Sequence, residues 1–239
     1  MLVYPLTNDV PGSDPANPQA ALALAAKVAS TADLKVTDYV QDDYSVTYID
    51  DDTVTPADVA SDYSFVILYP SVVEARLGTR LRDLDRPVMV LHSRMLDEMG
   101  MATTGGQTAS LNSFEMVTSL HPMSRALAGT QSVATTAFTA AVATPASAAT
   151  VIAKAPGGAP TEFVYQKDAA MAVGNAPACR IFFSNIKPTS LNSTAWSLFV
   201  RAEAYAAMDC GKNMLWTAAG NGAYTLQPEG NQSVATPIN

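Results

Sequence analysis

Two runs of the chain consist almost wholly of apolar residues without polar alternation: SFVILYP at residues 64–70 and PVMVL at residues 87–91. Such runs are typical of strands that are covered on both faces, as in parallel sheets flanked by helices. Their alternation with helical segments predicts an α/β fold, a flavodoxin-like doubly wound sheet that is mainly parallel. The other elements predicted in this half are strands at residues 2–6 and 46–50 and helices at residues 19–30 and 55–61.

The second half of the chain differs in composition. Residues 133–186 are rich in Thr, Val and Ala with Gly and Pro breaks, which predicts added short strands, partly antiparallel. Helical periodicity returns at residues 190–209 and predicts a closing helix. We therefore expect an α/β domain over residues 1–209. An extended C-terminal tail over residues 210–239 is polar and aperiodic, and we expect a neighbouring molecule to hold it as an assembly arm.

The charge balance narrows the possible partners. The chain has 14 basic and 22 acidic residues, a net charge of −8, so we expect no binding to nucleic acid. No apolar stretch reaches the ~20 residues needed to cross a bilayer, and the first residues lack a signal-peptide pattern, so we expect a soluble protein and no membrane partner. Charged residues make up 15% of the chain, below the roughly 25% of typical domains, which suits a protein that packs against neighbours.

Cysteines and acidic residues give no sign of a cofactor or metal. Cys179 and Cys210 match no ligand spacing, and we expect two buried free thiols instead of a disulfide framework or a zinc site. The acidic run Asp50, Asp51 and Asp52 offers oxygen ligands for a cation, but its spacing matches no EF-hand loop. We therefore expect no metal and no cofactor.

The most informative stretch for function is VMVLHSRMLDEMG at residues 88–100. It runs from a strand directly into a helical pattern, a junction that holds the nucleophile in many α/β enzymes. His92 and Ser93 occupy that junction, and His121 lies in the sequence HPMSRAL further on. These three residues are the candidates for a ligand-binding site. The alternative is that His92 caps the next helix and that His121 is a turn residue.

Residues 70–101, 121–129 and 179–207 contain LGTRLRD before a Pro-initiated strand, an HP turn and the helix WSLFVRAEAYAA. In these features the chain resembles the class I glutamine amidotransferase-like superfamily. It is most similar to the ThuA-like branch and to related non-catalytic domains of large secreted bacterial proteins. The resemblance covers most of residues 1–208 and does not extend into the tail.

The resemblance has consequences for the site. The amidotransferases carry G-x-C-x-G at this junction, and His92 stands where their cysteine would be, with Val90 and Arg94 at the two glycine positions. ThuA-like proteins are similar to this chain in having histidine there. The triad histidine of the amidotransferases precedes Glu by two residues near the last strand, whereas both histidines of this chain come earlier. The resemblance therefore implies that no Cys-His-Glu triad forms and that the chain has no catalytic residues.

Three functions are consistent with these observations. The first is a non-catalytic structural or interaction protein in a larger homo-oligomeric assembly, for example a virion decoration protein. The second is a ThuA-like enzyme or a small-ligand (sugar) binding protein that uses His92, Ser93 and His121. The third is a carbohydrate- or surface-binding module of a secreted protein. We favour the first, because the nucleophile and the triad histidine are missing and the charge content is low.

Overall fold

A computed structural model describes residues 2–3, 48–49, 51–59, 63–184, 191–211, 214–218 and 224–228. Its helices are three α-helices and two short 3-10 segments within these ranges. The helix predicted at residues 19–30 lies outside the described residues. The helical elements, in chain order, are a 3-10 segment Pro56–Val59, α1 (Glu74–Leu77), α2 (Met95–Glu98), α3 (Ser193–Ala207) and a 3-10 segment Asp209–Gly211.

The strands of the described chain form one large sheet and two small ones. Nine strands form the large sheet, in the order β2-β1-β3-β4-β11-β10-β9-β6-β7, and β5 pairs with β8 and β12 with β13 in two-stranded sheets. The strands are β1 (Leu2–Val3), β2 (Tyr48–Ile49), β3 (Val66–Leu68), β4 (Val88–Val90), β5 (Thr108–Leu111), β6 (Ser113–Met116), β7 (Gly129–Ser132), β8 (Phe138–Ala141), β9 (Thr150–Lys154), β10 (Pro160–Tyr165), β11 (Arg180–Phe183), β12 (Met214–Ala218) and β13 (Tyr224–Pro228).

The large sheet is mixed, so the prediction of a mainly parallel, flavodoxin-like doubly wound sheet is wrong. Strands β2, β1, β3, β4 and β11 pair in parallel. Strands β11, β10, β9, β6 and β7 pair antiparallel. Without the two-residue strands β1 and β2, seven strands remain, with two parallel and four antiparallel pairings. Strands β9 and β10 are joined by a five-residue turn at residues 155–159, which can connect only antiparallel neighbours.

Helices are few, which also argues against a doubly wound fold. Among the described residues, α3 is the only helix longer than four residues. It confirms the closing helix predicted at residues 190–209. Asn192 precedes it in an extended conformation, and its side-chain oxygen accepts a hydrogen bond from the Ala195 N–H at 3.1 Å, the usual N-cap arrangement. The helix predicted at residues 55–61 is a short 3-10 segment instead.

The strands predicted from the apolar runs at residues 64–70 and 87–91 are confirmed as β3 and β4. All residues of β3, β4 and β11 are buried, because a core lies on each face of the sheet. The core on one face includes Leu198 and Phe199 of α3. The core on the other face includes Leu77, Met95 and Leu96 from the segments that follow β3 and β4. No helix in the described part of the chain is long and apolar enough to cross a membrane.

The end of the chain differs from the prediction of an extended tail. Strands β12 and β13 form an antiparallel hairpin whose five register pairs run from Met214↔Pro228 to Ala218↔Tyr224. The hairpin begins three residues after Gly211, the last residue of the preceding 3-10 segment. The segment predicted to be an assembly arm therefore contains regular structure.

Candidate functional site at the carboxyl edge of the parallel strands

Parallel strands of one sheet end at a common edge, where open α/β sheets bind ligands. At this edge Asp51 follows β2, Ser71 follows β3, His92 and Ser93 follow β4, and Ser184 follows β11. Asp51, Ser93 and Ser184 are buried. The described part of the edge thus carries five polar side chains on four loops.

His92 lies directly beyond β4, with its ring half-buried. Burial, and after it the positive charge of Arg94, lower the pKa of His92 to about 4, while the Val72 carbonyl, which accepts a hydrogen bond from the ring, acts in the opposite direction. The imidazole is therefore neutral at pH 7. Its Nδ1 is buried and has no hydrogen-bond partner among the described residues. That nitrogen is available to accept a hydrogen bond.

Ser93 is adjacent to His92 in sequence and only 3% exposed. The backbone carbonyls of His92 and Ser93 accept hydrogen bonds from the N–H groups of Met95 and Leu96 and so start the turn of α2. No side chain caps α2. The junction is thus fixed by backbone contacts, and the Ser93 hydroxyl is not presented to solvent as an α/β-hydrolase nucleophile would be.

Asp51 is fully buried and holds two loops of the edge together. Its Oδ2 accepts a hydrogen bond from the Val73 N–H at 2.7 Å, next to the residue whose carbonyl faces His92. The neighbouring Asp52 forms a salt bridge with Arg76 at 3.0 Å. In the described part of the chain no group of three His, Cys, Asp or Glu residues could hold a metal ion. Asp50 lies outside the described residues.

His121 lies at the opposite edge of the sheet from His92. It follows β6, which runs antiparallel to β9 and therefore ends at the edge where β4 and β11 begin. Its ring packs edge-on against Tyr205 of α3, with centroids 4.9 Å apart. Nδ1 accepts a hydrogen bond from the Met123 N–H at 3.2 Å, and burial lowers the pKa of His121 to about 4. The structure brings His92 and Ser93 together but not His121.

The arginines of the LGTRLRD motif hold loops in place. Arg80 donates to the backbone carbonyls of Leu77, Asp52 and Val54 at 2.8–3.0 Å. Arg82 donates to the carbonyls of Asp97 and Glu98 at the end of α2. Buried backbone carbonyls in loops need such donors, because no helix or strand supplies them with a hydrogen bond. The motif on which the family resemblance partly rests therefore has a structural role here.

The two cysteines are joined, so the prediction of two free thiols is wrong. Cys179 and Cys210 form a disulfide with a Cα–Cα distance of 5.9 Å, within the usual range. Both are buried. Because the chain has two cysteines in all, no thiol remains to act as a nucleophile in the disulfide-bonded protein. The bond also ties Cys210, one residue beyond the predicted domain boundary, to the sheet.

Sequence reasoning missed several buried polar groups. The hydroxyls of Ser71 and Ser184 at the carboxyl edge are buried and have no hydrogen-bond partner among the described residues. Glu162 on β10 and Glu203 on α3 are fully buried, and their carboxyl oxygens also lack partners in the described chain. The only sequence signal was a glutamate inside the apolar run EFVY at residues 162–165 and another inside the closing helix.

Comparison with known proteins does not assign the chain to a family. No family model matches the chain, and no curated protein matches it. Among solved structures, the chain is similar to a protein described as "Cytoplasmic Protein STM3548 from Salmonella typhimurium", with 10% sequence identity and a TM-score of 0.46. The match covers 68% of this chain and 81% of that one. A likeness at this level supports no conclusion about the fold or function of this chain.

Proposed function

We propose that the protein is a non-catalytic structural or interaction protein that packs into a larger homo-oligomeric assembly, such as the surface of a virion. One observation carries the proposal. The only two histidines of the chain lie at opposite edges of the sheet, and its only two cysteines are bonded to each other. Histidine is the side chain most often used in acid–base catalysis, and cysteine is one of the strong nucleophiles.

Nucleophilic catalysis needs a nucleophile and a base within hydrogen-bond reach, about 2.6–3.2 Å. Each histidine has a ring contact that serves the fold: His92 faces the Val72 carbonyl, and His121 packs on Tyr205. With both pKa values near 4, neither side chain is poised to exchange a proton at neutral pH. This supports a scaffold role over an enzymatic one. Membership of the amidotransferase-like superfamily remains part of the proposal.

The proposal is tested by the mass of the protein in solution. Light scattering of the full chain over a wide concentration range should give a mass above the 25.1 kDa of one chain. A chain that ends at Gly211 keeps both cysteines and should be a monomer with an unchanged melting temperature. A full chain that stays monomeric at every concentration would contradict the proposal.

A second candidate is a small-ligand, for example sugar, binding protein or ThuA-like enzyme. It is favoured by the unpartnered polar atoms at the carboxyl edge, namely Nδ1 of His92 and the hydroxyls of Ser71 and Ser184. Buried polar groups without partners often mark places where a ligand supplies the hydrogen bond. Calorimetry with a panel of sugars should then show binding that His92→Ala removes. The matched variant His121→Ala, at the opposite edge, should leave it unchanged.

A further inference from the structure

Four buried polar atoms at the carboxyl edge of the large sheet have no hydrogen-bond partner in the described chain. They are the hydroxyls of Thr161, Ser184 and Ser71 and Nδ1 of His92. Their residues belong to β10 and to the loops that follow β11, β4 and β3, which are four neighbouring strands of the sheet. We call these four atoms the polar row.

The register of the sheet places the middle of the row on one face. Val90 of β4 pairs with Phe182 of β11, so His92 and Ser184, each two residues further on, hold equivalent positions. Side chains two residues apart on a strand lie on the same face, and neighbouring strands lie about 4.8 Å apart. Val90 and Phe182 belong to the core that includes Leu77 and Met95. His92 and Ser184 therefore lie at the border of that core.

Thr161 and Ser71 extend the row at its two ends. The register of β10 and β11 places Thr161 opposite Ser184, and the Ser184 N–H donates to the Thr161 carbonyl at 2.8 Å. Directly paired residues lie on the same face of a sheet. At the other end, the His92 ring donates a hydrogen bond to the Val72 carbonyl, directly after Ser71. The row thus runs without a gap from β10 to the loop after β3.

The chemistry of the row defines what could occupy it. Thr161 and Ser184 are 0% and 1% exposed, so their hydroxyls cannot rely on bulk water for hydrogen bonds. A hydroxyl both donates and accepts, whereas Nδ1 of His92 only accepts, because the other ring nitrogen donates to Val72. An occupant must therefore offer donors and acceptors together. Hydroxyl groups in succession on a small molecule do so.

Arg94 adds a positive charge beside the row. Its side chain is exposed, and no hydrogen bond or salt bridge holds its guanidinium within the described chain. Every other Arg or Lys side chain of the described residues has such a contact. An unengaged guanidinium is notable in a chain with a net charge of −8. Its planar set of donors matches a carboxylate.

The contacts of the Arg94 loop bring it towards the β10 end of the row. A Cβ added at Gly106 would lie 3.4 Å from the Arg94 Cγ, so the two residues are in contact. The carbonyl of Gln107 accepts a hydrogen bond from residues 142–143, which in turn donate to the carbonyl of Pro160, the first residue of β10. Each of these two hydrogen bonds is 3.0 Å long. Arg94 is thus linked to both His92, its near neighbour in sequence, and the start of β10.

We propose that the polar row and Arg94 form a binding site for a small polyhydroxy carboxylate, whose hydroxyl groups pair with the row and whose carboxylate pairs with Arg94. The inference rests on the second candidate function, the binding of a small ligand at this edge, and names the charge and class of that ligand. It does not depend on the assembly of the chain.

The test is calorimetry of the full chain with three probes. D-gluconate has both the hydroxyl groups and the carboxylate, D-glucitol has a hydroxymethyl group in place of the carboxylate, and acetate lacks the hydroxyl groups. We expect gluconate to bind at least about tenfold more tightly than either of the others, since a charge-assisted pair and the row contribute together.

Two variants separate the two parts of the site. Arg94→Gln should remove the preference for gluconate over glucitol. Thr161→Val keeps the shape of the side chain and should weaken both ligands at least about tenfold, without lowering the melting temperature, because the lost hydroxyl has no partner in the chain. The matched controls Arg86→Gln, before β4, and Thr130→Val, on β7, lie away from the row and should leave binding unchanged.

Each contrary result has a distinct meaning. Equal affinity for gluconate and glucitol, or gluconate binding that Arg94→Gln leaves unchanged, would overturn the inference and keep the second candidate function. Acetate that binds as tightly as gluconate would show an anion contact of Arg94 alone and would also overturn it. If none of the three probes binds, the inference fails, and the panel of sugars decides separately on the second candidate function.

Discussion

Cys179 and Cys210 are bonded across a separation of 31 residues, so that the chain just after α3 is tied to the residue that precedes β11. Both side chains are buried, at 1% and 4% exposure. The bond therefore links the start of β11, which is the last strand of the large sheet in chain order, to the segment that follows α3. It also fixes Cys210 within the 3-10 segment that follows α3.

Removing this bond should destabilise the fold. A disulfide restricts the unfolded chain, and for a loop of this length the restriction contributes about 3–4 kcal/mol. The double substitution Cys179→Ala with Cys210→Ala should lower the free energy of unfolding by that amount in chemical denaturation. Reductant should destabilise the unaltered protein similarly and leave the double variant unchanged. An unaltered protein that is insensitive to reductant at equilibrium would show that the bond does not form.

The buried carboxyl group of Glu162 predicts a distinctive dependence of stability on pH. Burial raises its pKa well above the ordinary value of 4.5, and the charge of Arg201 opposes this only in part. The folded state thus holds the proton more tightly than the unfolded state. The contribution to stability is complete below pH 4.5 and is lost as pH rises towards the folded pKa. Glu162→Gln should therefore be more stable than the unaltered chain at pH 7, by more than about 1 kcal/mol, and similar to it at pH 4.

Glu115 provides the control, because its pKa is shifted in the opposite direction from that of Glu162. The N–H of Gly157 and then Lys154 lower the pKa of Glu115, so its contribution is present above the unfolded pKa and is lost as pH falls. Glu115→Gln should give no gain in stability at pH 7. Denaturation curves at several pH values separate the two substitutions. Equal behaviour of both variants would show that Glu162 is ionised and solvated in the folded protein.

Both histidines should titrate far below neutrality. Burial is the first cause of the lowered pKa of His92 and the sole cause for His121, and both values are about 4. A histidine with a lowered folded pKa contributes stability above its unfolded pKa of about 6.5 that is lost as pH falls towards 4. Proton NMR of the two ring C–H resonances should show no titration between pH 8 and 5.5. A midpoint between pH 6 and 7 for either ring would contradict its burial.

Arg180 is expected to be essential for stability. Its side chain is fully buried, and its guanidinium donates to the carbonyls of Arg82, Leu84 and Arg86 at 2.7–2.9 Å. Burial lowers its pKa to about 10, so it stays charged at neutral pH. Arg180→Met would leave these carbonyls without a donor and should cost about 3 kcal/mol or more in chemical denaturation. The Arg86 side chain donates to the carbonyl of its own neighbour Asp85, and Arg86→Ala should cost less than about 1 kcal/mol.

The sequence predicted the buried strands well and their directions poorly. The unbroken apolar runs at residues 64–70 and 87–91 indicate burial on both faces, and both are strands. The composition of a strand does not show whether its neighbour runs parallel or antiparallel to it. The turn at residues 155–159 and the loop between β10 and β11 reverse the chain, which made the sheet mixed. The hairpin was missed because its apolar alternation is divided between two five-residue strands with Gly and Asn between them.

The candidate site, too, could be predicted from the sequence only in part. The position of His92 after a buried strand could be predicted, because strand and junction are adjacent in sequence. The separation of His92 from His121 could not, since it depends on the direction of β6. The disulfide also escaped prediction, because a pairing across 31 residues leaves no trace in local spacing. Local features were thus accessible from the sequence, and relations between distant segments were not.

The most direct test of the proposed assembly is the mass of the full chain in solution, measured by light scattering from low to high concentration beside a chain that ends at Gly211. We predict that the full chain assembles and that the shortened chain remains at the mass of one chain. A single-chain mass for the unaltered protein throughout the range would contradict the proposed assembly. The unpartnered atoms around His92 would then become the site to test for a ligand.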